Sequence, residues 1–314
     1  MKNYRIAFVG MGSIGKRHLN NVCQLITSKG NTYSIDLYRS SIACELPEEV
    51  STLVANQYLC SQEVQKEYDM VFITNPTSLH LETTVKFRPF AKAFFIEKPV
   101  FSSYDVDNQV IALLDEIPSY VACPLRYNPV LQHVKQNVEL DKVISVRAMS
   151  SSYLPDWRPG QDYRETYSAH TELGGGVDID LIHEWDYLTW IFGMPKECLG
   201  IAGRFSNLEI NSNDTALYIA KNDKLTYELH LDYFGRIMQR TLDIFTEDDT
   251  IQCDIIGGTI NYLKDGRTLD FNSERNAFQL EEIKHFFDIA EGRVENDSTV
   301  RHGVQVLKLT KAKI

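Results

Sequence analysis

Tyr4-Arg5-Ile6-Ala7-Phe8-Val9 runs without a break into Gly10-Met11-Gly12-Ser13-Ile14-Gly15 and then Lys16-Arg17-His18, and this stretch decides the fold of the chain. Residues 4–9 read as a short buried strand and 16–28 as a helix. Between them the three glycines have separate tasks. Gly10 permits the tight turn, Gly12 lets the backbone approach a pyrophosphate, and Gly15 lets helix pack on strand. Ser13 and Ile14 are assigned with the glycines to the cofactor, since the N-terminus of the helix that follows suits a phosphate. The reading is α/β: an N-terminal Rossmann unit with a doubly wound parallel sheet.

The second strand, 33–38, ends where an NAD-preferring Rossmann protein sets an acid on the ribose 2′-hydroxyl. Arg39 holds that place, with Ser40 and Ser41 behind it, while Asp36 lies earlier, inside the strand. A guanidinium beside hydroxyls suits a 2′-phosphate, so NADP(H) is expected over NAD(H). Strand 69–74 leads into Asn75-Pro76-Thr77-Ser78-Leu79-His80 and a helix over 81–90. Strand 93–96 leads into Glu97-Lys98-Pro99. Loops at the carboxyl ends of such strands line the ligand crevice, which assigns Thr74, Asn75, Pro76, His80, Glu97 and Lys98 to the cofactor side. A helix over 106–116 and a strand over 119–122 complete a first domain, 1–122, and leave 123–314 for a second.

In the second domain Gly174-Gly175-Gly176 runs into Val177-Asp178-Ile179-Asp180-Leu181-Ile182-His183-Glu184-Trp185-Asp186. A glycine triplet fits a turn or a close backbone approach. Asp178 is placed to cap a new helix, with Ile182, Trp185, Thr189 and Phe192 as its core stripe and Asp180, His183, Glu184 and Tyr187 on a polar stripe. The helix start disfavours imidazolium at His183 and the carboxylate of Asp180 one turn away favours it, a balance suited to a general base. Asp180 and His183 have no third ligand at helical spacing, so no metal is expected.

Helix 129–138 and strand 142–150 precede a long loop, 152–164, that carries Trp157, Arg158 and Tyr163. Aromatic faces stack on sugars and arginines clamp anions, so this loop is expected to meet substrate. Strands over 198–206, 215–221, 224–233, 237–246 and 250–255, with Asn222-Asp223 and Asp265-Gly266 at hairpin positions, describe a large open, mainly antiparallel sheet. Its outer face, bearing Tyr218, Tyr227, Leu229 or their alternates, is expected to seek a partner, giving a homodimer or homotetramer. Helices over 277–290 and 298–309 read as structural, with Glu281, Glu282 and Lys284 on solvated faces.

The 314 residues suit two domains, and 43% hydrophobic with 24% charged residues is ordinary for a folded globular chain. A net charge of -11 argues against nucleic acid as partner. No apolar run reaches membrane-helix length, so no membrane is expected. Six cysteines without metal or redox spacing, and a first strand that starts near Tyr4, lead us to expect a reduced, cytoplasmic protein.

Taken together, GMGSIGKRH (10–18), NPTSLH (75–80), EKP (97–99), RYNP (126–129) and GGGVDIDLIHEWD (174–186) resemble the glucose-fructose oxidoreductase / inositol dehydrogenase / MocA family along almost the whole chain. The resemblance implies a Rossmann domain, an α/β domain with a large open sheet, and NAD(P)-dependent oxidation or reduction of a sugar or polyol. It implies catalytic roles for Lys98, Asp180 and His183. Arg126, Tyr127, Trp157, Arg158, Tyr163 and His183 are expected to contact substrate. Many members separate the Asp and His by three residues, whereas two stand between Asp180 and His183, so Asp178 is an alternative partner. The 152–176 region is similar to members associated with bacterial surface-sugar and nonulosonic-acid synthesis, which points to an anionic or nucleotide-linked sugar. An NAD-dependent glycosidase and a non-catalytic dinucleotide-binding regulator are the alternative activities.

Overall fold

A computed structural model describes residues 1–271 and 275–312. Its contacts divide into two compact units, Met1–Ala122 with Gln279–Gln305, and Cys123–Phe278 with Val306–Ile314. A single boundary after residue 122 was expected. Residues 279–305 instead join the first unit, because their apolar side chains complete its cores.

The first unit holds β1 (Asn3–Val9), α1 (Ser13–Ser28), β2 (Thr32–Arg39), α2 (Glu48–Ser51), β3 (Asn56–Leu59), β4 (Met70–Ile73), α3 (His80–Phe87), β5 (Phe94–Ile96), α4 (Asn108–Asp115) and β6 (Ser119–Val121). The six strands form one sheet in the order β3-β2-β1-β4-β5-β6, and every pairing is parallel. Parallel strands covered on both faces read as continuous apolar runs, and β1 shows why. Ile6 and Phe8 enter one core with Leu19, Val22 and Ile26 of α1, whereas Ala7 and Val9 enter the opposite core with Phe87 and Leu114. The first of these cores also takes Phe286, whose ring lies 5.5 Å from that of Phe72 and 5.3 Å from that of Phe95. Glu282 is fully buried here, not solvated, with its carboxylate 3.4 Å from the Tyr120 hydroxyl. The short strand β3 was not expected from its sequence.

The second unit holds α5 (Pro129–Asn137), β7 (Val143–Tyr153), α6 (Val177–Asp180), α7 (His183–Phe192), β8 (Glu197–Gly203), β9 (Thr215–Lys221), β10 (Thr226–Asp232), β11 (Phe234–Thr246), β12 (Thr250–Asp254), β13 (Thr259–Tyr262) and β14 (Arg267–Asp270). Two later helices, α8 (Arg275–Ala290) and α9 (Val300–Leu309), supply the segments that divide between the units. The eight strands are ordered β14-β13-β12-β11-β7-β10-β9-β8, antiparallel except for β7 with β10. Tyr218, Tyr227 and Leu229 point into the core with Trp185, so their alternates face outward. Leu199 pairs with Ile219 and Ile201 with Leu217, and these four form an exposed apolar patch across β8 and β9.

Candidate active site

In the first unit a pocket of about 940 Å³ opens at the carboxyl ends of β1, β2 and β4. Gly10, Gly12, Arg39, Ser40, Thr74, Asn75 and Pro76 line it, together with Lys16, Ser41 and Cys44. The three glycines differ in what surrounds them. Gly10 has φ of 93°, and a Cβ there would lie 2.6 Å from the Asn75 backbone. At Gly15 a Cβ would come within 2.9 Å of Thr74 Oγ1, so this glycine lets α1 pack on β4. A Cβ at Gly12 would meet no protein atom within 4 Å and would project into the open pocket. No side chain caps α1, which leaves its first-turn amides for an anion. The residues present therefore fit a dinucleotide.

Asp36 is 3% exposed and takes hydrogen bonds from Asn56 at 2.7 Å, Lys66 at 3.0 Å and the Tyr68 hydroxyl at 2.9 Å. Its carboxylate is spent inside the unit.

Two expected cofactor contacts need correction. His80 does not line the pocket; it is buried, with Nε2 2.9 Å from the Asn75 carbonyl and Nδ1 3.1 Å from that of Pro99. The ring ties the loop after β4 to the loop after β5, and burial holds its pKa below the ordinary imidazole value. Glu97 is likewise buried. Its Oε1 accepts from His18 Nε2 at 2.5 Å, and its Oε2 accepts from the Lys98 backbone N–H at 3.1 Å. Burial pushes the Glu97 carboxyl up, but the His18 bond and charge outweigh it and the net shift is down. Glu97 thus anchors the backbone that carries Lys98. The part played by His18 was not read from the sequence, although it closes the GMGSIGKRH motif.

In the second unit Gly175 carries the chain against the preceding turns, since a Cβ there would lie 2.1 Å from the Tyr167 carbonyl. Gly176, with φ of 134°, starts α6 without a side-chain cap. Asp178 is not that cap; its carboxylate accepts from Asn213 and from Lys311, each at 3.2 Å. The single helix expected across 178–192 is broken at Leu181 (φ −99°, ψ 27°), so Asp180 closes α6 and His183 opens α7. The break turns the Asp180 carboxylate to Tyr233, whose hydroxyl donates to it at 2.6 Å. Burial and then the Asp180 charge raise the pKa of Tyr233 well above its ordinary value, and the same two causes raise that of Tyr167. Both stay protonated donors at neutral pH. Sequence reading missed Tyr233, which no local period links to Asp180.

The expected polar stripe is also revised. Glu184 and Tyr187 are buried, and Arg240 donates to Glu184 at 2.6 Å. Arg126 does not present its charge to a substrate. It is 1% exposed and grips Asp186 through two bonds of 2.9 and 2.6 Å. Removing one partner of such a buried pair costs about 3–5 kcal/mol, too much for the guanidinium to be lent to a passing ligand. Tyr127 follows it, half-buried, at the end of a short 3₁₀ turn.

Trp157, Arg158 and Tyr163 do gather, around a space of only about 10 Å³. That volume holds at most one water, not a sugar. Trp157 donates to Ser152 Oγ at 3.0 Å and stands edge-on to Tyr233 at 5.2 Å, while Arg158 lies 5.3 Å from the Tyr167 ring centre. Among the described residues no three His, Cys, Asp or Glu side chains are grouped to hold a metal.

Residues 4–122 match the model of the oxidoreductase family with an NAD-binding Rossmann fold, designated GFO_IDH_MocA. The first unit is thus similar to the NAD-binding domain of the Gfo/Idh/MocA oxidoreductases. A curated relative, the uncharacterized oxidoreductase YrbE of Bacillus subtilis, is 24% identical over 188 residues, 59% of this chain and 52% of that protein. The chain therefore matches about half the length of that relative. Solved structures share the whole fold. UDP-N-acetylglucosamine 3-dehydrogenase GnnA from Acidithiobacillus ferrooxidans has a TM-score of 0.77 at 18% identity, covering 99% of this chain and 96% of that one. The WlbA dehydrogenase from Bordetella pertussis, in complex with NADH and UDP-GlcNAcA, has 0.76 at 18%, covering 99% and 95%. Levoglucosan dehydrogenase, in complex with NADH and levoglucosan, has 0.81 at 15%, covering 98% and 95%. No described helix is long and apolar enough to cross a membrane.

Proposed function

We propose that this chain transfers a hydride between NADP(H) and a hydroxyl or keto carbon of a sugar derivative, with an anionic or nucleotide-linked sugar as the class. The observation that carries the reading is the glycine-floored pocket of the first unit. The substrates named for the dehydrogenases of the same fold support the sugar assignment. A bound nicotinamide supplies the hydride acceptor in the oxidative direction. Lys98 donates to the reacting hydroxyl oxygen and stabilises the charge that develops there, and His183 accepts its proton. Asp180, held by Tyr233, is assigned as the orienting carboxylate in preference to Asp178, whose oxygens already serve Asn213 and Lys311. Trp157, Arg158, Tyr163 and Tyr127 are assigned to substrate from their outward surfaces. Six cysteines without metal or redox spacing suit a cytoplasmic setting.

The activity is tested by following absorbance at 340 nm with NADP⁺ or NADPH against nucleotide sugars, sugar acids and free sugars. Turnover with one class supports the reading. Tight cofactor binding with no turnover marks a regulator, and glycoside cleavage without net cofactor change marks a glycosidase.

The NADP(H) preference rests on Arg39 at the pocket wall and on Asp36 being ion-paired with Lys66. NADPH is expected to bind about ten-fold more tightly than NADH, and Arg39→Ala to remove most of that difference, as the loss of a charge-assisted pair worth about 1.5 kcal/mol or more requires. Fluorescence titration of both cofactors reads this directly; equal affinities in the parent chain contradict it.

A homodimer or homotetramer through the large sheet is proposed from the apolar patch, in which Ile219 is 68% exposed. Ile219→Glu is expected to shift the mass measured by light scattering toward the monomer with little loss of thermal stability. A parent chain that is monomeric at micromolar concentration removes this proposal.

A further inference from the structure

We infer that Gln57 is a positioning residue for cofactor selectivity: it holds the Arg39 guanidinium in advance of the 2′-phosphate of NADP(H). The inference rests on the NADP(H) reading. Arg39 ends β2, and its Nη1 donates to the Cys44 carbonyl at 2.9 Å and to Gln57 Oε1 at 3.0 Å. Both bonds fall on one nitrogen. Nε and Nη2 have no partner among the described residues, so a second pair of donors is left in the fixed fork geometry that suits phosphate oxygens. Arg39 lines the pocket together with Ser40, Ser41 and Lys16, whereas Gln57 does not. Gln57 stands on β3, paired in register with Leu37, and reaches Arg39 two residues along the neighbouring strand. It can therefore act on the cofactor only through the arginine.

The mechanism is one of preorganisation. An arginine at an exposed strand end samples many rotamers, and ordering it at the moment of binding weakens the complex. Two acceptors on Nη1, one a backbone carbonyl and one the Gln57 amide, do that ordering beforehand. The competing carboxylate, Asp36, is engaged elsewhere: it accepts from Asn56, next to Gln57, and is ion-paired with Lys66 at 3.0 Å.

The test titrates NADPH and NADH by fluorescence on the full chain and on Gln57→Ala, Arg39→Ala and the double variant. Gln57 is exposed on an edge strand, so its truncation leaves the core untouched, and the NADH constant serves as the control for an intact pocket. Gln57→Ala is expected to weaken NADPH about five-fold and NADH by less than about two-fold, with no further change when Arg39 is already alanine. If Gln57→Ala leaves the NADPH-to-NADH ratio unchanged while Arg39→Ala abolishes it, the positioning role is wrong and the phosphate role of Arg39 stands. If Gln57→Ala weakens NADPH equally with and without Arg39, the residue does not act through the arginine. If Arg39→Ala leaves the ratio unchanged, both readings fall.

Discussion

Lys98→Met is expected to lower turnover by about 10²- to 10³-fold, the range for losing one donor to developing charge, while the dissociation constant of the cofactor stays within about two-fold. Methionine keeps the length and apolar stem of lysine but has no charge, so packing is little disturbed. The ammonium acts on negative charge that is large only in the transition state, and its loss therefore falls on kcat. The surrounding structure fixes the backbone at Lys98. Its backbone N–H is bonded to Glu97, and Glu97 is fixed in turn by His18. Turnover that survives within a few-fold, measured beside an unchanged NADPH titration, would make Lys98 a structural lysine.

His183→Asn is expected to remove most of the rate and, with it, the rise of kcat/KM around neutral pH. In the oxidative direction the base must be unprotonated, so activity climbs as the group loses its proton and levels off above that range. Asparagine preserves a polar side chain of related shape at the start of α7 but cannot take up the proton. Asp180→Asn should damage the rate less and move the surviving limb to lower pH, since it removes a carboxylate that favours imidazolium. Asp178→Asn should leave the limb where it is. A profile that keeps its shape in the His183 variant sends the proton elsewhere, and a limb displaced by Asp178→Asn transfers the orienting role to that residue.

The parts of the molecule that were legible in the sequence are those whose cause is local. The glycines of 10–15 stand at a fixed spacing between an apolar run and a helical one, so a strand, a turn and a helix followed from that stretch. The loop after β4 was placed by the same rule of strand ends. β3 escaped because Asn56-Gln57-Tyr58-Leu59 lacks alternation, and its existence depends on pairing with β2. The second unit was legible as strands and hairpins, but the sequence could not say which face of each strand turns inward.

What failed depended on partners far along the chain. The apolar stripe containing Phe286 could be read, yet nothing near it says that it joins Phe72 and Phe95 in the first unit's core. Arg126 meets Asp186 across 60 residues, and Tyr233 meets Asp180 across 53. A surface clamp and a buried ion pair use the same residue types, and only burial separates them. The helix over 178–192 had continuous helical periodicity, which does not reveal a break at Leu181 that redirects one carboxylate.

The central claim is that this chain moves a hydride directly between sugar carbon and nicotinamide, and deuterium transfer tests it most directly. The chain is incubated with NADP⁺ and a nucleotide sugar fully deuterated on carbon, and the recovered cofactor is weighed by mass spectrometry. Direct transfer predicts NADPH heavier by one deuterium, in amounts that rise with turnover and fall to background in Lys98→Met. Reduced cofactor that carries no deuterium, or no reduction by any sugar while NADP⁺ binds, would contradict it.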